Sequence, residues 1–231
     1  MSFYRSWKEC YRNDDEIYWE KFLLKDYESI LDLESGTQEE IDFIIEFINS
    51  IPIEYFVEHV YLLDRQYSIT SKSIPQFSSL YDSIFGVCKV LTEYGNQTYK
   101  QLGQHFNVTP NDVAWLKYGS EQGYLSTIFS LTIFSSNSIK RGKELKLTNL
   151  GKLFSSIDER KGMEFIRRLC FRLDFFQLLI TTLHINNRAC METLFKGISG
   201  ATITRRKSSV KKIIQIMFEN NSYDFWLKNI E

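Results

Sequence analysis

The chain has 231 residues, with 28 Lys+Arg against 29 Asp+Glu, 43% hydrophobic residues and 15% aromatics. This balance excludes disorder as the main state and describes one or two globular domains. With 3 Pro and 11 Gly there is no collagenous or low-complexity tract, and no apolar run approaches the roughly 18 residues a membrane-crossing helix needs. Met1 to Tyr18 alternates charge with aromatics and lacks an apolar signal region. The expected location is therefore the cytoplasm, with nucleoid association if DNA is the partner, and no membrane is expected among the partners.

Cys10, Cys88, Cys170 and Cys190 form no Cys-x-x-Cys pair, and His59, His105 and His184 lie far from them and from each other in sequence. No zinc or other metal site and no cofactor is expected, and each cysteine reads as a buried, reduced thiol. The net charge of -1 conceals a dipole along the chain. Residues 1–60 carry 15 acidic and 5 basic side chains, residues 61–139 carry 5 of each, and residues 140–212 carry 17 basic and 6 acidic. The basic part points to an anionic partner, most simply nucleic acid, and the acidic start points to a separate task such as dimerisation or binding a partner protein.

In chain order, Thr37 and Glu40 have capping-box spacing and precede Ile41, Ile44, Ile45 and Ile48 at helical intervals. Asn49 and Ser50 end that helix, and Pro52 suits the first turn of another through Leu63. The Ser- and Thr-rich stretch Tyr67 to Gln76, with Pro75, is a linker candidate. Leu80, Ile84, Val87, Cys88 and Leu91 then form a helical stripe that Gly95-Asn96 stops. Thr98-Tyr99-Lys100-Gln101 is a second capping box, opening a short helix. Thr109-Pro110-Asn111-Asp112 starts a third helix that Gly123 ends. Beyond it the period becomes extended, with one strand through Ile128, Phe129, Leu131, Ile133 and Phe134 and another at Leu145 and Leu147, joined by a basic loop from Ser135 to Lys143.

Three helices, a strand, a basic loop and a strand in this order resemble the winged-helix DNA-binding fold over Ser78 to Phe154, with Leu147-Thr148-Asn149-Leu150-Gly151-Lys152 as the exit into a following helix. The last third reads as a long amphipathic helix over Phe165, Leu169, Leu173, Phe176, Ile180 and Leu183, a short helix from Cys190 to Ile198, and a third helix capped by Ser199 and running through Phe218. In this last helix Ile203, Val210, Ile213, Ile214 and Met217 read as the inner side. Thr202, Arg205, Ser209 and Lys212 read as the outer side, flanked by Arg206, Lys207, Ser208 and Lys211. The stretch Thr202 to Val210 is similar to the Thr-x-x-Arg-Arg-x-Ser-Thr/Ser-Val recognition-helix pattern of winged-helix modules in prokaryotic restriction and anti-phage defence proteins, with Ile213 where that pattern carries Trp. The fold class expected is mostly α (α+β): tandem winged helix-turn-helix modules with small β-wings, at 76–157 and 158–231, preceded by an acidic helical region at 1–75.

An Arg-bearing helix suits duplex DNA because cations displace counterions from phosphates and an Arg fork can pair with guanine in the major groove. Ser and Thr between them can bond phosphate oxygens or base edges. The DNA-contact residues expected are Thr202, Arg205, Arg206, Lys207, Ser208, Ser209, Lys211 and Lys212 in the second module. In the first they are Asn111, Trp115, Lys117, Tyr118 and Gln122, with Lys140, Arg141 and Lys143 from the wing.

No catalytic residue is expected. Asp14, Asp15, Glu16, Glu20 and Lys21 form the one dense acidic cluster, but their neighbours read as helix rather than the strand a metal-dependent nuclease uses, and there is no phosphate-binding Gly-rich loop or Gly-x-Ser-x-Gly. The expectation is a sequence-specific double-stranded DNA-binding protein, the recognition or control component of a restriction or defence system. A transcriptional regulator, an adaptor whose winged helices bind protein, and a degenerate nuclease remain the alternatives.

Overall fold

The computed structural model describes residues 37–63, 65–71, 73–75, 77, 79–106, 125–126, 128–129, 131–134 and 144–231. The described chain is mostly helical with one small antiparallel sheet. It divides into two compact units. One holds residues 44–75 and 163–231, and the other holds residues 37–43 and 76–162. Helices α1 (Gln38–Ser50) and α6 (Glu159–Cys170) each contain a point where the chain passes from one unit to the other. This differs from the expected succession of an acidic region at 1–75 and modules at 76–157 and 158–231. The described helices of the acidic region complete a core whose other half lies more than a hundred residues away.

In the 37–43 and 76–162 unit, a π-helical turn, Asp82–Gly86, leads into α3 (Val87–Tyr94). The wider turn brings Gly86 so close to Phe106 that a Cβ there would lie 2.8 Å from its ring. Gly95, at φ 75°, ends α3 in a conformation that glycine adopts without strain. The capping box at Thr98 forms as read from the sequence. Its hydroxyl accepts the Gln101 N–H at 3.3 Å, and the Gln101 side chain accepts the Thr98 N–H at 2.9 Å, opening α4 (Tyr99–His105).

The sheet contains a strand that the helical pattern concealed. β1 (Gln97–Thr98) pairs with β3 (Glu144–Leu147), and β3 pairs on its other side with β2 (Thr132–Phe134). β2 is shorter than expected: Leu125, Ser126 and Ile128 are helical, and extended structure begins at Thr132. Val87, Leu91, Leu102 and Leu145 form a core here, flanked by Val90, Phe106 and Leu147. Thr148 caps α5 (Asn149–Phe154) by accepting the Gly151 N–H at 3.0 Å, while its hydroxyl donates to the Leu131 carbonyl. Gly151 is required for that approach, because a Cβ there would stand 2.0 Å from the Leu131 oxygen.

In the other unit, Pro52 sits at the N-cap of α2 (Ile53–Leu62), which packs along α7 (Asp174–Asn186). The single long helix expected from Phe165 to Leu183 is two helices. The N–H groups of Phe171, Arg172 and Leu173 bond to carbonyls three residues back, Leu173 is extended, and Asp174 opens α7. Burial continues through the break, so the apolar pattern carries no sign of it. Gln177, itself buried, secures the corner by donating to the Phe171 carbonyl at 2.7 Å. α8 (Met191–Leu194) and α9 (Gly200–Phe218) follow, and a final 3-10 turn, Asp224–Asn229, buries Trp226 edge-on to Phe218. No strand pair forms from residue 158 onward; extended pairing is limited to the bridge Ala189 to Ile230. The wing expected in a second winged module is therefore corrected to a purely helical arrangement. The apolar positions there recur at helical spacing on both sides of each connection, leaving no alternating segment to make a hairpin.

Candidate nucleic-acid interface

α9 is the element on which the expected contact residues gather. Ser199 caps it, its hydroxyl accepting the Thr202 N–H at 3.4 Å and donating to the Thr202 hydroxyl. Ile203, Val210, Ile213, Ile214, Met217 and Phe218 are buried and fix which side of the helix is free. The side left to solvent carries Thr204, Arg205, Ser208, Lys211, Lys212 and Gln215, all exposed. This 19-residue helix contains no acidic residue.

Two of the expected contacts are placed elsewhere. Ser209 is 1% exposed and belongs to the inner side, because the stripe of Val210 and Ile213 carries its neighbour inward. Arg206 also turns toward the fold, where its guanidinium donates to the Ile74 carbonyl. The Arg-Arg pair thus divides, with Arg205 facing solvent and Arg206 tying α9 to the 65–75 connection. Lys207 is half-buried and pairs with Glu192 at 3.4 Å. The Glu192 carboxyl is held below its usual range by its own backbone N–H, then by the Cys190 thiol, with Lys207 adding to the effect. Thr202 is half-buried at the cap. Thr204, one residue before Arg205 and four before Ser208, also belongs to the exposed face, although it is not among the expected contacts.

Much of the basic surplus of residues 140–212 is committed to structure. Arg168 is 6% exposed; its Nε and Nη2 donate to the Ile51 carbonyl at 3.1 and 3.0 Å, and its Nη1 to Glu164 at 2.8 Å. Arg167 donates to the same carboxylate and to the Met217 carbonyl. Burial pushes the Glu164 carboxyl up, but the bonds from Arg168 and Arg167 outweigh it and leave the group below its usual range. Arg172 is 8% exposed. Lys161 of the basic stretch pairs with Asp42 of the acidic start at 2.8 Å. The charge asymmetry is therefore partly internal, and the cations presented by α9 are Arg205, Lys211 and Lys212.

Asn111, Trp115, Lys117, Tyr118, Gln122, Lys140, Arg141 and Lys143 lie outside the described residues. Cys88 and Cys170 are buried thiols pushed up to about 12 by that burial, whereas Cys190 is half-exposed and donates to Glu192 at 3.3 Å. Among the described residues, no group of His, Cys, Asp and Glu side chains is placed to hold a metal ion, and no helix is long and apolar enough to cross a membrane. No family model, curated protein or solved structure matches the chain.

Proposed function

We propose that the protein binds double-stranded DNA and carries out no chemistry on it. The observation that carries this reading is α9, a helix without acidic residues whose solvent side joins Arg205, Lys211 and Lys212 with Thr204, Ser208 and Gln215. Three cations on one exposed helical face attract phosphate, and the hydroxyls and amide between them suit phosphate oxygens and base edges. Arg205 is the exposed Arg of this face and supplies its fork for guanine.

The element order of residues 79–154 supports a winged-helix reading of that unit. A strand lies between the first two helices and β3 occupies the middle of the sheet, between β1 and β2. In that reading Asn111 to Gln122 supplies a groove helix and Lys140, Arg141 and Lys143 a wing. The likeness of Thr202 to Val210 to recognition helices of restriction and anti-phage proteins suggests a recognition or control role, with cleavage in another chain. Fluorescence anisotropy with duplex DNA at several salt concentrations tests the reading. Binding that weakens steeply with salt supports it, whereas absence of binding at low salt sends the exposed α9 face to a protein partner instead.

A further inference from the structure

The 37–43 and 76–162 unit contains a cleft of about 630 Å³ where α3, the start of β1, β3 and α5 meet. Its apolar lining is Leu91 and Leu147, and its rim carries Lys146, Lys152, Asn96 and Asn149. No acidic side chain lines it among the described residues. Asn149 Oδ1 accepts from Lys152 Nζ at 3.3 Å, which holds that ammonium at the start of α5. Thr92, also lining it, gives its proton to the Cys88 carbonyl at 2.9 Å, so its hydroxyl proton is committed within its own helix.

The composition of this cleft selects its ligand. Two ammonium groups, with no carboxylate beside them among the described lining residues, favour an anion, and two positive charges suit a phosphoryl group more than a single carboxylate. The volume lies within the range of small-molecule sites and far exceeds what a bare phosphate fills, while the half-buried Leu147 offers an apolar surface that inorganic ions do not use, over a floor closed by the buried Leu91. We infer that the cleft binds a nucleotide, with Lys146 and Lys152 on the phosphate oxygens and Leu147 against the sugar and base. None of these residues belongs to the duplex-binding set above, so this inference and the DNA reading stand or fall separately.

Two sources present the same chemistry: a free mononucleotide and a terminal nucleotide of a nucleic-acid chain. The test uses the full-length protein in ¹H–¹⁵N spectra, titrated with AMP, adenosine, inorganic phosphate and a 5′-phosphorylated tetranucleotide. AMP is expected to shift the amides of Asn96, Asn149 and Lys152 and to saturate, with adenosine and phosphate each at least tenfold weaker. Lys146→Ala with Lys152→Ala should weaken AMP at least tenfold while duplex affinity through Arg205 stays within a few-fold. Lys152→Gln alone, an exposed substitution, serves if the double variant is unfolded by circular dichroism. A tetranucleotide that binds where AMP does not assigns the same phosphate contacts to a chain end. Failure of both ligands to shift these amides, or AMP binding unchanged in the lysine variants, overturns the inference.

Discussion

The division of Arg205 from Arg206 can be turned into a number. If Arg205, Lys211 and Lys212 each neutralise one phosphate, α9 contributes roughly -2.7 to the slope of log affinity against log salt, at about -0.9 per phosphate on duplex DNA. Over a fourfold rise in salt that contribution alone weakens binding about 40-fold, and each cation removed should restore about 3.5-fold of it. Arg205→Ala, Lys211→Ala and Lys212→Ala should therefore each flatten the slope by about 0.9, and Arg205→Ala should also relax base preference. Arg206→Ala should leave the slope unchanged. Its cost appears in stability, because the Ile74 carbonyl loses its charged donor, a penalty of about 1 to 3 kcal/mol. Anisotropy titrations between 50 and 200 mM salt on a fixed duplex, beside urea unfolding of each variant, supply both readouts. If Arg206→Ala flattens the slope as much as Arg205→Ala while unfolding at the parent's urea midpoint, the inward placement of Arg206 has no bearing on binding and the partition is wrong.

Other outcomes follow from single contacts. Gly151→Ala should destabilise the 76–162 unit by several kcal/mol in urea unfolding, since the new methyl would overlap the Leu131 carbonyl; a parent-like midpoint would refute that close approach. Arg168→Ala removes both donors to the Ile51 carbonyl and leaves Glu164 with Arg167 as its remaining cation, so calorimetry should show a loss of about 1 to 3 kcal/mol, and a neutral result would place Arg168 in solvent. Glu54 and Glu164 lie below their ordinary value of 4.5 in the fold, so they bind fewer protons folded than unfolded. Their stabilisation is full above that value and lost as pH falls below it. Urea midpoints should drop on acidification, less so in Glu164→Gln, and a midpoint that rises between pH 5 and 3 contradicts the assignment. In a Cys10→Ser background, a thiol reagent should label Cys190 in the native protein and reach Cys88 and Cys170 only after unfolding.

What the sequence made legible was mostly local. The capping box of Thr98 and Gln101, the Ser199 cap and the stop at Gly95 are encoded within a few residues, and each appears where the spacing placed it. The break between Cys170 and Asp174 was not legible, because Phe171 and Leu173 are buried within it and the corner depends on Gln177 reaching back to a carbonyl. Strand β1 is two residues long and overlaps a helix cap, so it exists through pairing with a segment some fifty residues later. In α9 the inward turn of Arg206 was available and was overridden by charge. It lies three residues after Ile203 and four before Val210, on the stripe that packs. The pairing of residues 44–75 with 163–231 has no local signal at all. It depends on contacts such as Arg168 to Ile51 and Arg65 to Asp174, which join segments separated by more than a hundred residues.

That pairing sets the order in which the protein becomes whole. The segments of the two units alternate along the chain, so ribosomal synthesis delivers residues 44–75 of one unit, then residues 76–162 of the other, and only then the helices from 163 onward that complete the first. Among the described residues, the partners of Ile51 and Phe56, such as Arg168 and Phe171, lie beyond 163 and emerge last, and closing so long a loop slows assembly more than it weakens the product. The acidic side chains of residues 44–75, Glu46, Glu54 and Glu58 among them, give that segment solubility. Cutting at residue 76 would accordingly leave half a core without its complement rather than free a DNA-binding module. The two pieces, expressed separately, should regain the fold only when mixed.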